Sequence, residues 1–449
     1  MSLTAVAFVL FFLGGCAAAL VRHPIYGLMT YVAAFYIHPP SRWWGQGLLL
    51  DVRWSLLAAL VTLVAIALHG RRGEGERAFL RYPIIWGFAA LISWMLLQLF
   101  WVIDPELQRD LIEYYAKFLV VVYMIYRAVD SEKHLKLFLW SHVAGCSYFG
   151  WLAFTSGVGG RYEGFGGPGL GEANTAAVQV LTGVLVAASL VFAGNIKQRI
   201  VLVGAMPILV NAIVSTVSRS GFLAFAVAGV LYNVFAPKNL SRAVKILSVV
   251  GIGLFLSLTN PDYWKRIETI KLQGQDIEGV DTGGGRLEII EAQWKISKSH
   301  PMGCGHMCTT TLSNRYLEDR FLFGGGRASH NTFMTMLVDH GLPGAIFYVL
   351  WVMWTVRWTL RLRRRVASQG PFLAVLLPAV AASLGAIIIG DLFVQYPKLE
   401  VRFWLIGIML VMIRMTDTTT SGASEQRSGE PDGTLTARSD GLADHESRR

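Results

Sequence analysis

An all-α, polytopic integral membrane fold follows from the composition of the chain, the length of its apolar runs and the lack of alternating polarity in them. Of its 449 residues 53% are hydrophobic and only 16% charged, and the mean hydropathy is +0.47, far from the mixed composition of a soluble domain. Runs of about 20 apolar residues, the length that carries a helix across roughly 30 Å of hydrocarbon, recur from one end to the other. Stretches such as Ile84 to Val102 and Ile246 to Thr259 are apolar on every face, which excludes the short alternating strands of a membrane barrel.

In order, the apolar segments fall near 3–21, 24–38, 54–69, 83–103, 111–128, 135–156, 173–194, 200–217, 221–236, 246–259, 332–356, 372–391 and 399–415. The first two are short enough to form a hairpin or one broken span, so about twelve transmembrane helices are expected. No basic residue precedes Leu3 to Val21 and another apolar stretch follows it, the pattern of a retained span rather than a cleaved signal peptide. The organisation expected is membrane helices with short loops over 1–259, one large loop domain over 260–330, further membrane helices over 331–415 and a tail over 416–449. That tail is rich in Ser, Thr, Gly, Asp and Glu, cannot bury enough apolar surface to offset the entropy of ordering, and is expected to be disordered.

The formal net charge is +10. Its distribution is topological: Arg71, Arg72, Arg77 and Arg81 lie in one short loop, Lys197 and Arg199 in another, Lys238, Arg242 and Lys245 in a third, and Arg357, Arg361 and Arg363 to Arg365 end a span on the same side. The positive-inside rule makes that side cytoplasmic, and the charge then needs no nucleic-acid partner. The loops at 39–53, 157–172 and 260–330 face outward, into the periplasm of a Gram-negative inner membrane, and any chemistry is expected there.

Only the third of these loops is large enough to fold. Within it, Leu287, Ile290 and Trp294 recur at three- and four-residue steps while Glu288, Glu291 and Lys295 take other faces, which predicts an amphipathic helix over Arg286 to Lys298 lying on the membrane surface. Gly283 to Gly285 and Gly324 to Gly326 are flexible entries on either side. His300, Cys304, His306 and Cys308 are close in sequence but match no established zinc spacing, leaving a disulfide or two free thiols as the readings.

Three outward stretches carry candidate chemistry. Arg219, in Ser218-Arg219-Ser220-Gly221 at the outer boundary, is either a guanidinium fork for a phosphate or an interfacial arginine reaching for water. Arg161 lies in the glycine-dense stretch from Gly160 to Pro168, where backbone amides and a basic side chain can approach an anion closely; no nucleotide fingerprint accompanies it. His330, just before Asn331 and after a loop with Arg315, Arg320 and Arg327, can take a proton from a hydroxyl or act as an interfacial cap. With almost no acidic cluster competing, several arginines on one side imply an anionic ligand, and a lipid-linked diphosphate fits.

These stretches resemble the O-antigen ligase and polymerase superfamily of bacterial membrane glycosyltransferases. His330-Asn331 followed by Gly341-Leu342-Pro343-Gly344 resembles its histidine motif, Ser218 to Gly221 its arginine motif, and Arg286-Leu287 through His300-Pro301-Met302-Gly303 a third. The stretch from His23-Pro24 to Pro39-Pro40 is similar to ligases associated with exosortase gene clusters. The resemblance implies a GT-C-like enzyme that moves a glycan from undecaprenyl diphosphate to lipid A-core oligosaccharide among the membrane lipids, with inversion and without metal, nucleotide or other cofactor. His330 would activate the acceptor hydroxyl, Arg161, Arg219 and Arg286 would hold the diphosphate, and Arg266 and Asp391 are secondary candidates. Rival readings are a polymerase with a second lipid-linked glycan as acceptor, a protein O-oligosaccharyl ligase and a lipid-linked glycan transporter. No inverted repeat supports the transporter.

Overall fold

The computed structural model describes residues 2–69, 79–156, 161–259, 261–268, 285–322, 326–366, 371–395 and 398–428, without the side chains of Leu48, Asp262, Arg266 and 418–428. Within them every regular element is helical. The hairpin of α1 (Leu3–Val21) and α2 (Ile25–Ile37) leads through short 3-10 turns to α3 (Trp54–His69), α4 (Pro83–Gln98), α5 (Pro105–Ala128) and α6 (Glu132–Thr155). Next come α7 (Ala173–Ala193), α8 (Ile196–Ser215), α9 (Arg219–Phe235) and α10 (Ser241–Leu258). The large loop holds α11 (Pro261–Glu268), α12 (Arg286–Ser299) and α13 (Cys308–Leu312), and α14 (Thr332–Arg365), α15 (Pro371–Gly390) and α16 (Glu400–Ser428) complete the chain.

Among the described residues six stretches are long and apolar enough to cross a bilayer: α1, α7, α8, α14, α15 and the segment Lys238–Leu258; α3, α4 and α9 are shorter apolar helices. The chain is therefore a multi-pass membrane protein. α7 and α15 form the centre, each 78% buried over its span, whereas Lys238–Leu258 is only 11% buried. The reason is in the residues: α7 and α15 are rich in alanine, α15 is apolar almost throughout, and the few polar side chains of α7, such as Gln179 and Ser189, are buried and hydrogen-bonded; small side chains let α8, α9 and α15 approach α7 closely.

The histidine-motif helix α14 is broken. Gly341 has φ 65° and ψ −161°, and Gly303 has φ 81°; these two glycines meet backbone to backbone. A Cβ on Gly303 would lie 2.5 Å from the Gly341 nitrogen, and one on Gly341 would lie 2.5 Å from the Pro301 oxygen, so only glycine fits either place. The freed backbone groups find partners across the contact: Leu342 N–H donates to Pro301 O at 3.2 Å, and Gly305 N–H to Asp339 O at 2.9 Å. Buried Asp339 completes the weld by accepting from Met307 N–H at 3.0 Å and Cys308 N–H at 3.2 Å. The two glycine-containing motifs thus fix the large loop onto α14.

Several sequence expectations change. The tail was expected to be disordered from 416, but α16 continues to Ser428; extending a helix already nucleated in a stable span is cheap, and Asp417 is held by Arg365. Residues 429–449 lie outside the described residues, as do 269–284 and 323–325 and with them most of both glycine runs. The amphipathic helix is present; it packs on the protein through Ile289, Ala292 and Ile296, a face the sequence did not single out, while the stripe read from the sequence stays exposed, Leu287 at 79% and Trp294 at 52%. Cys304 and Cys308 are joined in a disulfide, which resolves the two readings left by the sequence.

Candidate functional site

A cleft of about 310 Å³ is lined by Arg161, Arg219, Arg286, Arg327 and His330. Four of these five are the residues singled out from sequence, drawn from stretches up to 169 positions apart (161 to 330). All five are half-buried, so their charges face a region that is wet but shielded.

The first turns of three helices and the residues just before a fourth supply much of the lining, and the loops carrying Arg161 with Glu163 and Phe393 with Val394 complete it. Asn174 belongs to the first turn of α7, Arg219 and Ser220 to that of α9, Arg286 opens α12, and His330 precedes Asn331, the N-cap of α14. Each helix N-terminus contributes roughly half a positive charge, which adds to the arginines and favours an anion. Ser218, the cap of α9, accepts from Gly221 N–H at 2.9 Å and donates to Asn174 Oδ1 at 2.6 Å, locking the openings of α7 and α9 together.

His330 is positioned from both sides. Gln293, fully buried on α12, donates to Ser329 Oγ at 2.6 Å, and that hydroxyl donates to Asn331 O at 2.8 Å. On the other side Thr332 N–H donates to Asp391 O at 2.7 Å and Thr332 Oγ1 to Val394 O at 2.9 Å. The backbone itself is strained: His330 has φ 51° and Val217, also in the lining, φ 45°. The left-handed region is unusual for histidine and an outlier for a β-branched valine, costing about 1 to 3 kcal/mol each. Two such residues in one cleft mark it as a place where geometry is held against local preference.

Arg161 pairs with Glu163 at 2.9 Å, and its loop is tied down by Tyr162 N–H donating to Ser215 O at 2.9 Å. Behind it sits Arg42, 7% exposed, donating from Nε to Ile37 O at 2.8 Å and from Nη2 to Phe165 O at 2.5 Å. Burial, together with the nearby Arg42 guanidinium, holds the His38 imidazole below its ordinary pKa. Lysine cannot make both bonds of Arg42. Arg42→Lys should speed hydrogen exchange at the Tyr162 amide about ten-fold or more, as expected for a lost charged hydrogen bond of about 1.5 to 3 kcal/mol; unchanged exchange would mean that the loop is held without it.

The secondary candidates fall elsewhere. Asp391 is outside the cleft lining: its carboxylate accepts from Arg402 Nη2 at 2.5 Å and Tyr348 Oη at 2.9 Å, and it meets the histidine segment at Thr332, one residue past the N-cap of α14. The Arg266 side chain lies outside the described residues. The expectation of almost no competing acid is also corrected, since Glu163 and Glu172 line the cleft beside the four arginines. The sequence placed Arg327 among the loop arginines before His330 without singling it out as a site residue, and it passed over Gln293, whose burial inside a polar helix leaves no sequence signal.

Elsewhere, His23, Asp130 and His134 bring three ligand-type atoms within 4.8 Å of one another. The His23 Nδ1 accepts from Ile25 N–H at 3.1 Å, so its Nε2 carries the proton that Asp130 accepts at 3.0 Å, leaving no lone pair there for a metal. His134 Nδ1 approaches the other oxygen at 2.5 Å. The cluster is a clasp between two turns.

Residues 204–349 match the family model described as O-antigen ligase. The matched stretch contains Arg219, Arg286, Arg327 and His330, whereas Arg161 and Asp391 lie outside it. No curated protein sequence matches the chain.

Proposed function

We propose, from the match of residues 204–349 to the O-antigen ligase family model, that the chain transfers a glycan from undecaprenyl diphosphate to lipid A-core oligosaccharide on the outer face of the membrane. The observation that carries this reading is the convergence of four arginines and one histidine on a cleft where helix N-termini meet. The acceptor hydroxyl gives its proton to His330 as its oxygen forms the new bond to the anomeric carbon. The bond from that carbon to the diphosphate breaks on the opposite side, so the configuration inverts. Arg161, Arg219 and Arg286 hold the diphosphate as charge gathers on it, each guanidinium presenting a fork matched to phosphate oxygens. The Cys304–Cys308 disulfide supports an oxidising, periplasmic location for the loop, in keeping with an inner-membrane protein whose arginine-rich loop ends face the cytoplasm.

The test is transfer by purified protein in liposomes supplied with undecaprenyl-diphosphate glycan and lipid A-core, with chelator present. Glycosylated lipid A-core is the expected product. Lengthened lipid-linked glycan instead would make the chain a polymerase, and movement of the donor across the bilayer without any transfer would make it a transporter.

A further inference from the structure

A second cavity, of about 430 Å³, opens between the first three turns of α6, the last turn of α7 and the first turn of α8. All three helices have their other ends near the arginine cleft: α6 leads to the Arg161 loop, Asn174 is the second residue of α7, and α8 ends at Ser215, two residues before Val217. α7 has 21 residues and is a candidate span, so it separates the two cavities by about 30 Å, one hydrocarbon thickness. The second cavity therefore opens at the opposite membrane face.

Its walls are divided by polarity. Leu137, Trp140 and Leu190 form the apolar part, and Glu132, Lys133, Lys136 and Gln198 the polar rim. Lys136 Nζ is held by Glu132 at 2.5 Å and lies 4.5 Å from the centre of the Phe372 ring, while Lys133 is exposed. Gln198 accepts from Asn195 N–H through Oε1 at 3.0 Å, which turns its amide nitrogen into the donor end. Two helix N-termini, those of α6 and α8, add positive potential that outweighs the one C-terminus present, that of α7, and Lys197 and Arg199 flank Gln198 in sequence.

We propose that this cavity binds the headgroup of an anionic phospholipid from the leaflet opposite the arginine cleft. The phosphodiester oxygens accept from Lys133, Lys136 and the Gln198 amide, and the first acyl carbons rest on Leu137 and Trp140, with the indole at the interfacial level that tryptophan favours. A soluble phosphate would leave the Leu and Trp wall without a partner. A zwitterionic headgroup would bring its own cation against the lysines.

The experiment is native mass spectrometry of the purified full chain titrated with cardiolipin, phosphatidylcholine or inorganic phosphate. Cardiolipin is retained over phosphatidylcholine, each lysine removed in Lys133→Gln and Lys136→Gln weakens it about five-fold, and Glu132→Gln strengthens it. The rim residues are at the surface, so the variants keep their fold. Equal retention of both lipids, equal binding by phosphate, or no change in the lysine variants overturns the proposal. Cardiolipin binding lost in Arg219→Ala instead would put the lipid in the arginine cleft and overturn it as well. Because the readout is lipid retention, its failure leaves the transfer reading untouched.

Discussion

His330→Ala and His330→Asn should both lower transfer by about 10²- to 10⁴-fold, the usual contribution of a positioned general base, while donor binding changes little. Two variants are needed because His330 sits at φ 51°. Alanine in the left-handed region adds strain of its own, whereas asparagine tolerates it. If asparagine restored transfer to within ten-fold of wild type, the loss in alanine would belong to the backbone and His330 would not be the base. The split between steps is equally diagnostic. A base acts on the acceptor in the transition state, so kcat should fall with the donor's KM nearly unchanged; a fall confined to donor affinity would make His330 part of the diphosphate site. The neighbours that fix the segment, Gln293 through Ser329 and Asp391 through Thr332, remain in both variants, so folding should survive.

Much of the cleft was legible because its residues are expensive where they stand. An arginine at the edge of an apolar span, as at Arg219, or a histidine at the head of one, as at His330, has to be accounted for by a ligand, a partner or water. Repeated charge placement then put 157–172, 218–221 and 260–330 on one side. What stayed hidden depends on tertiary contact. Arg402 and Asp391 are eleven positions apart across a turn, and no periodicity says that they pair. α12 has apolar residues on two faces, Ile289 with Ala292 and Ile296, and Leu287 with Ile290 and Trp294; the three- and four-residue spacing identifies a helix but does not choose the face that docks. Arg42 looks like an ordinary loop arginine until Phe165, 123 positions away, supplies the carbonyl it holds. The glycines at 303 and 341 were visible as motif residues, yet their reason, a backbone-to-backbone approach, exists only in the folded chain.

Arg219→Ala should lower transfer by about 10²- to 10³-fold, the cost of removing one preorganised donor from developing charge, and Arg219→Lys should recover only part of it. Lysine keeps the charge but lacks the planar fork that meets two phosphate oxygens at once. The position adds to the effect. Arg219 is the first residue of α9, its cap Ser218 is bonded to Asn174 at the opening of α7, and the preceding Val217 is held at φ 45°. The guanidinium is therefore delivered from a rigid corner rather than from a mobile loop, so little reorganisation is needed as the diphosphate leaves. The competing view is an interfacial arginine whose side chain merely reaches water. On that view alanine would leave transfer within a few-fold of wild type and lysine would be indistinguishable from arginine. Measured side by side with rates at saturating donor, the order arginine, lysine, alanine in steep steps supports the phosphate role, and a flat series removes Arg219 from the site.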